Sequence, residues 1–337
     1  MFGLLLLGLA TVASGQDEKI SIESQFVRVP VLVTDRDGRS IVRLKRDDLV
    51  LFENGVRQEI SSFESVDSPI TILLLVDRSR SMYPYFPKLD SSISAFIQKL
   101  RPDDGLIILT FADSVEEMLP LTQVRNLPEV IQLRKRNDET TRLYRAIDTA
   151  ITMLDNIHGR TAIVLFSNGL SGEGDRLKSK TLERLKEARS VVYPVFFPTQ
   201  LCDLRNAGPY YPKSPNAKSA ADIVDYNDLV RLGPSPATKT LENARKFMLD
   251  VAASSGGRFI EMDGKISLVD AFLQIVEELS RQYQIGYEPK IPGKQGESRK
   301  ISVKVNIPGS TVRARNTVVF SQTRPSMKGP DVAKKPQ

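Results

Sequence analysis

The chain has 337 residues, 41% of them hydrophobic and 26% charged, with a formal net charge of +6 and a single cysteine, Cys202. That length can bury a sizeable core and exceeds one average domain, the balance excludes a disordered or fibrous protein, and one cysteine excludes an intramolecular disulfide. The basic residues are scattered among nearly as many acids, and the densest cluster, Arg134-Lys135-Arg136, has no aromatic platform beside it, so no nucleic-acid partner is expected.

In chain order, Leu4 to Val12 is a short apolar run followed by Ala13, Ser14 and Gly15. It reads as a secretory signal covering 1–16, which predicts a secreted or periplasmic protein. The run is too short to span a bilayer as an ordinary helix. It lacks the usual basic n-region, so an uncleaved N-terminal anchor is the alternative. Residues 17–67 read as a β module. Phe26 to Val33 has a strand pattern, Asp37-Gly38 is a turn signal, and Leu49 to Phe52 and Gln58 to Phe63 flank the turn Asn54-Gly55. Asp35-Arg36-Asp37-Gly38 has the spacing that opens a calcium loop. It lacks the later ligands and the distal Glu, and a hairpin turn is the expectation.

From Ile70 to about Arg281 strands and helices alternate, as a doubly wound, mostly parallel α/β sheet requires. Ile70 to Val76 is a continuous apolar run, suited to a central parallel strand covered on both faces. Directly after it stands Asp77-Arg78-Ser79-Arg80-Ser81, at the carboxyl end of the strand, where ligands of open α/β sheets gather. Alternate residues of an extended segment point the same way, so one carboxylate and two hydroxyls converge. That donor set suits Mg²⁺, or Mn²⁺, better than a soft metal. Leu106 to Phe111 reads as a second buried strand and Val115 to Leu119 as an antiparallel edge. Leu143, Ile147, Ile151, Leu154 and Ile157 recur at helical spacing straight after Thr141. Ala162 to Phe166, Val191 to Phe197, Thr240 to Ala253, Arg258 to Glu261 and Ile266 to Ser280 continue the series, with Gly256-Gly257 stopping a helix. Residues 199–239 form a long insertion, read either as a partner-contacting loop or as a mobile one.

Asp77-x-Ser79-x-Ser81, then Thr141-Arg142-Leu143-Tyr144, then Ala162 to Gly169 ending in Ser167-Asn168-Gly169 resemble, in that order, the metal-ion-dependent adhesion site (MIDAS) of von Willebrand factor type A domains. The resemblance implies Ser79, Ser81 and Thr141 as direct ligands of the cation, Asp77 as its charge and orienting group, and an acidic residue of a protein partner completing the shell. Asn168, the fifth residue of the metal site, stands where the family has Asp and would hold a water. The change removes one negative charge and predicts weaker metal binding, which Glu173 or Asp175 would offset if their loop folds back; otherwise these two are exposed loop acids. The β segments on either side, including Arg281-Gln282-Tyr283 and Gly286-Tyr287, look like those flanking the domain in a group of bacterial secreted proteins.

Gln282 to Tyr287, Lys300 to Val305 and Val312 to Val319 read as further strands within 282–322. Short β segments rarely stand alone, so they are expected to pair with 17–67 in one sandwich-like unit, with the domain at 68–281 inserted and a disordered tail at 323–337. The function expected is a non-enzymatic, metal-dependent ligand- or protein-binding module. The alternatives are a scaffold or assembly subunit with a degenerate, metal-free site and, less favoured, a metal-assisted hydrolase using Asp77 and Glu173. His158, the only histidine, falls at the far end of a predicted helix, and no Gly-x-Ser-x-Gly elbow or phosphate loop is present.

Overall fold

The computed structural model describes residues 25–128, 131, 133, 140–198, 210–212, 223–225 and 236–320. The signal segment 1–16, Arg134-Lys135-Arg136, Cys202, most of the 199–239 insertion and the tail 323–337 lie outside the described residues. Four strands come first: β1 (Val27–Thr34), β2 (Leu49–Glu53), β3 (Val56–Gln58) and β4 (Ser62–Glu64). The α/β series follows with β5 (Ile70–Asp77), α1 (Phe86–Ile97), β6 (Gly105–Phe111), β7 (Val115–Gln123), α2 (Leu143–Asp155), β8 (Arg160–Ser167), α3 (Asp175–Glu187) and β9 (Val191–Phe196). A small antiparallel pair, β10 (Tyr210–Pro212) and β11 (Ile223–Asp225), precedes α4 (Pro236–Ser255), β12 (Ile260–Glu261) and α5 (Leu268–Leu279). The chain closes with β13 (Tyr283–Tyr287), β14 (Ser298–Val305), β15 (Thr311–Ala314) and β16 (Thr317–Val319).

The large sheet has the order β12-β9-β8-β5-β6-β7, parallel throughout except for the edge strand β7. Alternation along β5 explains its place at the centre. Ile72, Leu74 and Val76 join the core beneath α1 and α5, whereas Leu73 and Leu75 join the core beneath α2 and α4. Phe272 of α5 is clasped between Phe96 of α1 and Phe166 of β8, with both ring centroids at 4.8 Å. Asp77 and Ser167 therefore end neighbouring parallel strands at the carboxyl-terminal rim of the sheet.

The terminal segments interleave in two four-stranded antiparallel sheets, β15-β1-β13-β4 and β16-β14-β2-β3. Val29, Val31 and Val33 of β1, Leu51 of β2, and Tyr283, Ile285 and Tyr287 of β13 point into one core between them. The two-residue turn Asn54-Gly55 has φ of 48° and 81°, the left-handed pair that a tight hairpin needs. Two runs that look continuous in the sequence are broken. Gln58 to Phe63 ends β3 in one sheet and begins β4 in the other, and Val312 to Val319 divides at Arg315 into β15 and β16, again in different sheets. The Asp35-Arg36-Asp37-Gly38 stretch is a turn. Asp35 Oδ1 accepts the Asp37 and Arg39 backbone N–H groups at 2.9 Å each, and Arg39 pairs with both carboxylates.

Candidate metal centre

Asp77 is fully buried at the end of β5. Its Oδ1 accepts the Ser79 backbone N–H at 2.9 Å and its Oδ2 accepts the Ser167 hydroxyl at 2.7 Å. No lysine or arginine pairs with it among the described residues, and burial pushes its carboxyl up to about 6 against the pull of those Ser79 and Ser167 hydrogen bonds. A buried carboxylate without a positive partner is costly, and a dication beside it would remove the cost. The Ser79 and Ser81 hydroxyls lie 3.2 Å apart. Bonds of ~2.0–2.1 Å in octahedral geometry place adjacent oxygens roughly 2.9 Å apart, so this pair fits one edge of a Mg²⁺ shell after a small adjustment.

Asn168 is fully buried and its amide contacts the same hydroxyl cluster. Its Oδ1 accepts the Leu170 backbone N–H at 3.1 Å, which leaves Nδ2 to donate to Ser81 Oγ at 2.8 Å. The next residue, Gly169, has φ +71°, and a Cβ there would press on the Ala244 carbonyl of α4 at 2.9 Å. Glycine at this position is what lets the Asn168 loop pass so close to α4.

Thr141 is buried ahead of α2. Its carbonyl accepts the Gly172 N–H at 2.8 Å, while the Arg142 N–H donates to the Ala112 carbonyl at 2.7 Å just beyond β6. Those bonds put the Thr141 segment on the same rim and tie it to the loop that carries Asn168. Glu173 is not a loop acid in water: Oε2 accepts the Tyr144 and Arg145 backbone N–H groups at 2.8 and 3.3 Å, capping α2, and the Ser171 hydroxyl at 3.2 Å, while Oε1 pairs with Arg145 at 3.2 Å. Asp175 is exposed in the first turn of α3. Ser167, which orients Asp77, is a site residue that motif reading leaves out, as is Arg78. The Arg78 guanidinium is fully buried, 3.8 Å from the Phe86 ring centroid, 3.2 Å from Asp90 and 2.7 Å from the Leu133 carbonyl, fastening the motif loop to α1. His158 is exposed beyond α2, next to the start of β8 and a strand's length from the rim.

Residues 72–171 match the family model of the von Willebrand factor type A domain, a span that contains Asp77, Ser79, Ser81, Thr141 and Asn168. The chain carries a von Willebrand factor type A (VWA) domain. Similar solved structures include the conserved hypothetical protein BatB from Bacteroides thetaiotaomicron, at 16% identity over 64% of this chain and 98% of that one, TM-score 0.39. A von Willebrand factor type A protein from Catenulispora acidiphila shares 10% identity over 93% and 78%, TM-score 0.42. Proximal thread matrix protein 1 of the mussel byssus, with a zinc-occupied MIDAS motif, shares 10% over 68% and 50%, TM-score 0.41. At such identities and scores these likenesses carry no functional argument, and the assignment stands on the family match with the order of its motif residues. No curated protein matches the chain. Among the described residues no three His, Cys, Asp or Glu side chains cluster as a metal site. No described helix is long and apolar enough to cross a membrane.

Proposed function

We propose that the protein is a non-enzymatic, extracytoplasmic binding module whose VWA rim holds Mg²⁺, or Mn²⁺, loosely and captures an acidic side chain of a protein partner. The observation that carries this reading is Asp77, buried without a cationic partner among the described residues, beside two serine hydroxyls 3.2 Å apart. Ser79, Ser81 and Thr141 would bind the cation through their hydroxyls. Asp77, oriented by the Ser167 hydroxyl and the Ser79 N–H, supplies the charge. A bound dication would offer an open coordination position to a carboxylate. His158 lies too far from the rim to serve the motif serines as a base, which favours binding over catalysis.

A second reading, a metal-free scaffold, is favoured by one contact. The Asn168 amide donates a hydrogen bond to Ser81, where the family's carboxylate would accept one, and so satisfies the hydroxyl cluster without a metal. Thermal unfolding at 0–10 mM Mg²⁺ with EDTA controls separates the two. Binding tight enough to reach about ten times Kd adds roughly 1.4 kcal/mol and a rise of about 2–4 °C in Tm. Asp77→Ala should abolish the rise, and a wild-type protein indifferent to the cation would establish the scaffold.

A further inference from the structure

Four arginines surround the motif, and the structure treats them in two ways. Arg78 is buried on Asp90 and the Phe86 ring, and Arg145 is paired with Glu173 at 3.2 Å. Arg80 and Arg142 are exposed, and neither has a carboxylate partner among the described residues. Both stand on the lip of the site. Arg80 lies between Ser79 and Ser81, and Arg142 directly follows Thr141. Their segments share one anchor, since the Arg78 N–H donates to the Phe111 carbonyl at 2.8 Å and the Arg142 N–H to that of Ala112 at 2.7 Å. Among the described residues the acids close by do not neutralise them. Asp77 is buried under the serines, Glu173 is committed to α2 and Arg145, Asp113 has its own contacts, and Asp175 sits at the first turn of α3. With Asn168 in place of a carboxylate, the two exposed guanidiniums stand beside a largely buried cluster of neutral hydroxyl and amide groups.

We propose that Arg80 and Arg142 form a carboxylate clamp beside the hydroxyl cluster, so that the rim takes an acidic peptide segment with at least two neighbouring carboxylates. One acid meets the cluster and the next is held by the guanidinium forks, whose planar donors match a carboxylate bidentately. The clamp rests on the reading of this rim as the binding face and adds the ligand class. Because the arginines attract acids without help from a cation, part of the affinity survives chelation and falls as salt rises.

Fluorescein-labelled hexaglutamate, followed by anisotropy at 50 mM salt in EDTA and again in 10 mM Mg²⁺, tests it. Wild type should bind in EDTA, the Arg80→Ala/Arg142→Ala pair should bind at least tenfold more weakly in both buffers, and Arg176→Ala/Lys180→Ala on α3 should change affinity less than twofold. Both altered pairs are exposed, so folding is preserved, and far-ultraviolet circular dichroism checks it. Equal affinity of the rim variant and wild type overturns the clamp, as does an equal loss in the α3 variant or no binding of hexaglutamate by wild type in either buffer. Binding that appears only with Mg²⁺ and survives Arg80→Ala/Arg142→Ala would leave the cation reading standing and remove the clamp. Binding in EDTA that is lost in the rim variant, without any response to Mg²⁺, would do the reverse.

Discussion

An aspartate at position 168 would accept a hydrogen bond from the Ser81 hydroxyl and leave its oxygen lone pairs to a cation. The asparagine present donates to that oxygen instead, at 2.8 Å, and brings no charge. On the proposed reading both effects would weaken cation binding, because hard cations are held by the number and charge of their oxygens. Asn168→Asp should therefore tighten Mg²⁺ at least tenfold, or about 1.4 kcal/mol, and should destabilise the metal-free protein by placing a second buried carboxylate beside Asp77. Calorimetric titration and Tm with and without EDTA read the two effects; an unchanged or weaker Mg²⁺ affinity would refute the charge argument. Position 168 was legible in the sequence because Ser167-Asn168-Gly169 closes an apolar strand. Ser167 as the group orienting Asp77 was not, since the bond joins residues 90 apart. Glu173 misleads for the same reason: its partners Tyr144 and Arg145 lie 29 and 28 residues back, and only the fold shows that the carboxylate caps a helix.

At the level of elements, period-two and helical patterns located most of the strands and the helices α2, α4 and α5 but not α1 or α3. They located β5 most plainly, since its two faces enter different cores. Patterns failed where a run changes sheets. Nothing in the alternation from Val312 to Val319 reveals that the chain turns at Arg315 and leaves one sheet for the other. The sandwich also contains a charged device that patterning cannot see. Arg299 of β14 is buried beside Glu53 at 3.0 Å and Glu297 at 2.8 Å, while the Tyr287 hydroxyl donates to Glu53 at 2.9 Å. The Arg299 hydrogen bond, assisted by the Lys294 backbone N–H, holds the Glu297 carboxyl down from its ordinary 4.5 to about 2. A carboxyl lowered in the folded state contributes stability that is present above pH 4.5 and lost as pH falls through about 2. Urea unfolding of wild type and Glu297→Gln from pH 6 to pH 2 should show a small gap that closes across that window. A gap that stays constant would mean that Glu297 acts through shape rather than charge.

For the whole molecule, arginines join the β sandwich and the VWA domain: Arg160 and Arg315 are buried and donate to backbone carbonyls, and Arg313 pairs with a carboxylate. Arg160, at the start of β8, donates to Val66 at 3.1 Å and Ser68 at 2.8 Å where the chain enters the domain, and to Leu279 where it leaves. Arg313 of β15 pairs with the buried Glu278 of α5, which also accepts the Tyr193 hydroxyl at 2.8 Å. Arg315, 3% exposed, reaches from the sandwich to the carbonyls of Ala188 at 2.7 Å and Ser255 at 3.3 Å, at the C-terminal ends of α3 and α4. Helix C-termini carry partial negative charge, so two of them form a natural seat for a buried guanidinium. Burial pulls this guanidinium down to about 10, still charged at neutral pH. Arg315→Ala would leave those carbonyls without donors and open a cavity between the units, a loss of about 3 kcal/mol. If these arginines couple the units, wild type unfolds in one transition, and Arg315→Ala either shifts the whole transition downward or splits it with the sandwich melting first. Scanning calorimetry decides the matter. Two independent transitions in wild type, or an Arg315→Ala protein as stable as wild type, would show that the units merely touch.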